Sequence, residues 1–285
     1  MPIKSVWLGL NFEEAALDHI EESHSSENYA VELCAREQAH LSVFLAAPIF
    51  KIPGVIPRAG LLPIANAPEQ EVNANRRARA EEAEERIASA AKSAGVSTEF
   101  FIAQESYPHL RQSLVASARP SDVTILSRSG SYLSLDRTMI EAMLFTSGRP
   151  IVIVPPDWTR GARFEKIIVA WDGSGRAARA TGDAIPLLVR AEQVDIVCVS
   201  HGALKSIPTR GLAAHLSRHC KKVLVTDLPM QQGGIAETLR AHASITGADL
   251  MVMGGYAHPR MLEIVLGGVT SDMLAEAELP LFLSH

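Results

Sequence analysis

Two glycine pairs near the end of the chain carry its plainest chemistry. Gly254-Gly255 closes the apolar run Leu250 to Met253, and Gly267-Gly268 stands ahead of Val269-Thr270-Ser271-Asp272. Glycine lets backbone N–H groups come close to a ligand, and the start of a helix offers unpaired N–H donors with partial positive charge. A strand, a glycine turn, a loop and a second glycine turn opening a helix can therefore hold a phosphate. A third turn, Asp172-Gly173-Ser174, follows the apolar run Phe164 to Trp171 and supplies a carboxylate. Residue chemistry alone leaves two readings open. The turns line a ligand, or Asp172 is a turn or cap residue and the glycines serve only tight connections.

Other chemistry-bearing residues point elsewhere or nowhere. No G-x4-G-K-[S/T] phosphate loop occurs. Gly173-x-Gly175-x-x-Ala178 fits a loose dinucleotide fingerprint, but that site wants an acidic residue at the end of the second strand, and Asp195 stands at its beginning. His215 and His219 share a helix face at i and i+4, yet no Glu and no third ligand accompany them, so they read as surface histidines. Ser200-His201 offers a similar lure. Cys34, Cys198 and Cys220 are odd in number and unpaired in spacing, which suits a reducing cytoplasm and gives no zinc motif. No catalytic residue and no metal site is assigned.

The elements that must position these turns alternate along the chain. The 285 residues are 47% hydrophobic and 21% charged, enough for two globular domains. The net charge of −5, with no segment concentrating Lys or Arg, argues against a nucleic-acid surface. The apolar runs are too short to span a membrane, and Met1 to Ala15 is not a signal peptide. Strands are expected at 3–10, 41–46, 97–102, 123–126 and 151–154, with helices over 14–37, 69–94, 109–118 and 138–145. The order then repeats. Phe164 to Trp171 echoes Ile3 to Leu10, with Lys166 matching Lys4, while Asp249 aligns with Asp122 and Pro280 with Pro150. In the second unit helices are expected over 176–190, 209–219, 234–244 and from Val269, with strands at 194–199, 223–225, 250–253 and 281–283. Residues 48–68 form a long loop and 155–161 a linker, giving units 1–156 and 162–285. Alternating buried strands and helices imply α/β architecture, two tandem doubly wound parallel five-stranded sheets.

The stretch from Ala248 to His285 resembles the signature of the universal stress protein family, G-x2-G-x9-G-[S/T] after the fourth strand. Gly254 and Gly267 match, Ala257 replaces a glycine, and Gly268 takes the hydroxyl position with Thr270 nearby. The words around it (Pro-Leu-Phe-Leu-Ser-His at the end, for example) resemble the family too, and the resemblance covers nearly the whole chain as a tandem pair. It implies the fold of the adenine-nucleotide α-hydrolase-like group. It also implies a cytoplasmic stress-response factor that binds ATP, ADP or AMP, with or without Mg, in its second half. No dedicated substrate is implied, slow ATP hydrolysis being the one reaction left open.

By position, the residues around Asp172 (Ala170, Trp171, Gly173 and Ser174) would meet the adenosine, and Val199 would line the base pocket. Gly254, Gly255, Tyr256, Ala257 and His258, with Gly267, Gly268, Val269 and Thr270, would hold ribose and phosphates. A side chain at Gly268 is expected to enter the phosphate position with the core intact, and one at Gly254 to block the ribose side. In the first half the corresponding residues are Ser127-Arg128, Arg137-Thr138 and Leu10, so no nucleotide is expected there. Arg128 and Arg137 either fill the phosphate region with their own charge or are simply solvated. Relatives join such domains through their fifth strands, which implies a pseudo-dimer within the chain and a homodimer as a further assembly. The two other readings are an interaction module without nucleotide and an adenine-nucleotide-using enzyme of the related superfamily.

Overall fold

The computed structural model describes residues 2–12, 23–51, 67–128, 135–200, 208–255 and 268–285. The first half runs β1 (Ser5–Asn11), α1 (Ser25–Glu37), β2 (His40–Ala46), α2 (Ala67–Ser93), β3 (Thr98–Ala103), α3 (Tyr107–Ala118), β4 (Val123–Ser127), α4 (Leu135–Thr146) and β5 (Ile151–Val154). The second repeats the order with β6 (Lys166–Ala170), α5 (Gly175–Leu188), β7 (Gln193–Ser200), α6 (Arg210–Leu216), β8 (Val223–Pro229), α7 (Gly234–Thr246), β9 (Leu250–Gly254), α8 (Val269–Glu276) and β10 (Leu281–Ser284).

Each half has its first strand at the centre, between the second and fourth, which is the doubly wound arrangement expected from the alternation. The two halves do not form separate sheets. β5 and β10 pair antiparallel, Phe282 opposite Val152, and the strand order becomes β3-β2-β1-β4-β5-β10-β9-β6-β7-β8. Every other pairing is parallel. Buried on both faces, β5 and β10 carry unbroken apolar runs, Ile-Val-Ile-Val and Leu-Phe-Leu. Joining them removes two apolar edges from water.

The repeat is visible in its hydrogen bonds. Asp122 Oδ2 accepts from the Lys4 and Ser5 amides at 2.7 and 3.0 Å, and Asp249 Oδ2 accepts from the Glu165 and Lys166 amides at 3.0 and 2.9 Å. Each carboxylate thus pins the start of its half's first strand beside the fourth. Between the halves, the segment after β5 is packed down. Trp158, Ala162 and Phe164 are buried, and the Trp158 indole donates to Gly161 O at 2.8 Å.

Two expectations shift. Among the described residues α1 begins at Ser25, residues 23–24 are non-helical, and the Ser25 hydroxyl donates to Pro156 O at 2.6 Å. Residues 14–22 of that expected helix lie outside the described residues, as do 52–66 of the expected loop. The described start of that loop is held by α2, where Asn73 exchanges two hydrogen bonds with the Phe50 backbone and Arg76 donates to Pro48 O. Finally, α6 stops at Leu216, so His219 lies in a turn beyond it and not on a shared helix face with His215.

Candidate functional site

The carboxyl edge of the second half is assembled by the pairing of β6 with β9, Val169 opposite Val252. This is where strand order reverses, and open parallel sheets take their ligands there. Ala170 ends β6, and the Trp171 amide still donates to Val197 O at 2.9 Å before the chain turns. The Trp171 indole donates to Pro208 O at 3.2 Å. Asp172 is exposed, and its Oδ1 accepts from the Ser174 amide at 2.9 Å across Gly173, whose φ of +77° lies in the region that favours glycine. Ser174 then caps α5, its hydroxyl accepting from the Ala177 amide at 3.1 Å. The turn is therefore held by hydrogen bonds to its own side chains.

Gly254 lies directly against this turn. A Cβ there would come within 2.9 Å of the Ala177 amide nitrogen and of Arg176 Cβ, so the end of β9 and the first turn of α5 touch backbone to backbone. That contact explains the glycine, and it corrects the expectation that a side chain at Gly254 meets the ribose first. Gly255 donates its amide to Ser284 O at 2.8 Å, and a Cβ there would meet the end of Leu144 from α4 of the first half at 2.7 Å. Val199 is half-buried opposite Leu228. Beside it, burial pushes the Cys198 thiol up to about 11, with the charges of Asp227 and Asp172 adding to the effect. Burial also pushes Cys34 up to about 12 and raises Cys220, so all three thiols stay protonated at neutral pH and offer no nucleophile.

At the other end of the motif, Gly268 precedes α8, with Val269 half-buried and Thr270 buried. Gly268 has φ +155°, and a Cβ there would meet nothing within 4 Å. The space is open but the backbone is not one that L side chains adopt readily, so a substitution would strain the turn as well as fill it. Tyr256, Ala257, His258 and Gly267 lie outside the described residues.

The first half's edge is built differently. Leu10 takes the place of Asp172 and is half-buried opposite Leu45. Arg128 does not stand over an empty phosphate position. Half-buried, it donates across the seam to Ala275 O in the last turn of α8. Burial lowers its pKa, and Asp157, Glu276 and Glu278 pull it back. The Arg137 side chain lies outside the described residues, and Thr138 is exposed.

The lookalikes resolve. Asp195 is buried, accepting from Thr226 Oγ1 and paired with His242 Nε2, both at 2.8 Å, so it is a core group and no ribose ligand. The His215 and His219 rings meet at 5.0 Å on the surface, and among the described residues no group of His, Cys, Asp and Glu could hold a metal ion. Among the described residues no helix is long and apolar enough to cross a membrane.

No protein-family profile and no curated protein matches the sequence. Solved structures do. The chain is similar to the crystal structure of a universal stress protein from Archaeoglobus fulgidus DSM 4304, with a TM-score of 0.71 at 16% identity over 98% of this chain and 95% of that one. A functionally unknown protein from Pseudomonas aeruginosa PAO1 matches at a TM-score of 0.52 and 14% identity, over 99% of this chain and 92% of that one. At such identities the likeness establishes the fold, a tandem universal stress protein fold, and nothing finer.

Proposed function

We propose that this chain binds one adenine nucleotide at the carboxyl edge of its second half and acts as a cytoplasmic regulatory or protective factor in a stress response. The observation that carries the reading is the adjacency of β6 and β9 at the point of strand reversal. It sets the Asp172 turn and the end of β9 side by side, with the opening of α8 in the same half. Asp172 would meet ribose hydroxyls, and the amides that open α8 would meet phosphates, where the helix field favours negative charge. A magnesium ion would accompany ATP through its phosphate oxygens, without a dedicated protein cage.

The second reading, an interaction module without nucleotide, also has an observation behind it. Ser174 already occupies an Asp172 oxygen, and packing against α5 accounts for Gly254.

Mass analysis of nucleotide extracted from the purified protein, followed by equilibrium titration with ATP, separates the two. The expected stoichiometry is one per chain. Two sites, or no binding at millimolar ATP, would each overturn the proposal. Because Gly268 is strained by any side chain, Val269→Glu is the sharper probe. A carboxylate in the first turn of α8 suits the helix field at the cost of Val269's packing on the core, which a melt of the variant reads separately. It repels phosphates by on the order of 1–4 kcal/mol, about one to three decades in affinity. Thr138→Glu in the first half should leave binding unchanged.

A further inference from the structure

The opposite edge of the sheet holds a cluster that the nucleotide reading does not use. Here the last turns of α1, the segment from Trp158 to Arg163 and the turn between α7 and β9 come together. They enclose an open cleft of about 600 Å³ lined by Glu32, Ala35, Arg36, Thr159, Arg160 and Arg163. Three guanidiniums and one carboxylate share this small space.

Both acidic groups have partners, though Glu32 keeps its own charge against the three cations. Glu32 Oε2 accepts from the Ala162 amide at 3.0 Å, and its carboxylate occupies the space above Gly161, whose φ is +64°. Asp249 serves the Glu165 and Lys166 amides through one oxygen and pairs with Arg160 at 3.3 Å through the other. Arg160 is fixed in turn. It lies 4.4 Å over the Trp158 ring and donates to the carbonyls of Gly247 and Ala248. Arg36 and Arg163 have no ion pair and no side-chain hydrogen bond among the described residues, and both are exposed.

A second observation comes from the same helix. Tyr29 is fully buried, and its hydroxyl has no hydrogen-bond partner, although a buried polar group ordinarily has one. Burial raises its pKa, and the charges acting on it are Asp249, Arg36 and Glu32, all of this cluster. Tyr29, Glu32 and Arg36 follow one another at helical spacing along one face of α1.

Two unpaired guanidiniums beside a third that is held in place form a receptor for an oxyanion. The planar forks match phosphate oxygens two at a time, and the Thr159 hydroxyl adds a donor. The cleft has the volume of a small-metabolite site. We propose that this seam binds a small molecule through a phosphate group, held by Arg36 and Arg163 with Arg160 as the fixed third cation. Such a ligand would bridge α1 of the first half to the segment and turn that introduce the second half. This inference is independent of the nucleotide reading, since Arg160 is anchored just before β9 and the Gly254 turn lies at the other end of that strand.

Calorimetric titration of the full chain with pyrophosphate in about 0.15 M salt, where surface attraction is screened, tests it. Arg36→Gln/Arg163→Gln should weaken binding at least about tenfold, as expected when charge-assisted hydrogen bonds are lost. Arg111→Gln/Arg218→Gln removes the same charge from exposed positions elsewhere and should change little. Both pairs are exposed, so the thermal melts of the free proteins should stay close to the parent's. Citrate serves as the carboxylate arm and should bind more weakly than pyrophosphate. The assignment fails if the parent does not bind pyrophosphate at about ten millimolar, a free energy of only some 2.7 kcal/mol. It fails equally if the double variant binds as the parent does, or if citrate is preferred. Loss of pyrophosphate binding in Val269→Glu, with retention in the double variant, would move the phosphate to the other edge and also overturn it.

Discussion

The two carboxyl edges of this molecule start from the same fold and end in different chemistry. In the second half, β9 ends in Gly254-Gly255, and the bare backbone lets the first turn of α5 close against it. In the first half, β4 ends in Ser127-Arg128, and the arginine reaches across to α8 of the other half. The exchange is reciprocal, since Gly255 receives Leu144 from α4. One edge kept small residues and an open helix start. The other became part of the joint. Matching positions in the two halves can thus serve different ends, one against its own helix and the other in the seam between the halves.

The largest expected effect that tests this contrast is Gly254→Val. Its Cβ would meet the α5 backbone, which cannot swing aside as a side chain can. Overpacking of this kind costs about 1–3 kcal/mol, and the melting temperature should fall by roughly 2–4 °C per kcal/mol in a chain of this size. Ser127→Val, its counterpart, should stay within about 0.5 kcal/mol. Equal losses at both positions in a denaturation series would show that the two edges are packed alike.

Arg128→Ala comes next. It removes a charge-assisted hydrogen bond to the end of α8 and leaves Ala275 O without that partner, a loss of about 1–2 kcal/mol. Urea unfolding is the measurement, and a neutral result would mean that Arg128 is solvated after all.

The smallest effect lies at the far end of the seam. Glu37, at the end of α1, is buried and pairs at 2.7 Å with Arg190 from the second half. Burial raises the Glu37 pKa, while Arg190 and Lys4 hold the rise in check. A carboxyl raised on folding contributes stability that is fully present below its unfolded value, near pH 4.3, and lost as the pH rises through the folded one. Glu37→Gln should therefore gain on the parent as the pH rises from acid to neutral, in melts taken at several pH values. A gap that widens toward acid instead would mean that the ion pair outweighs burial.

The sequence by itself determined the alternation of strands and helices, the repeat and the doubly wound class. These follow from local patterns, such as the apolar runs at 151–154 and 281–283, the long polar and alanine-rich helix expected over 69–94, and the paired aspartates at 122 and 249. Composition and periodicity act within one element, so they can be read along the chain. The non-helical stretch at 23–24 ahead of α1 was not legible, because the Ser23 and Ser25 hydroxyls that flank it bond to Pro156 O, more than a hundred residues away. The same holds for the candidate site. Glycines and an aspartate in suggestive places were visible, but whether Gly254 is small for a ligand or for α5 depends on how closely two backbones approach. The joining of the halves through β5 and β10 was expected from the family resemblance, and the tertiary structure alone decided two things: that Arg128 belongs to that joint, and that Arg36 and Arg163 meet unpaired in one cleft. Each depends on groups far apart in sequence being held a few ångströms apart, and only the folded chain sets such distances.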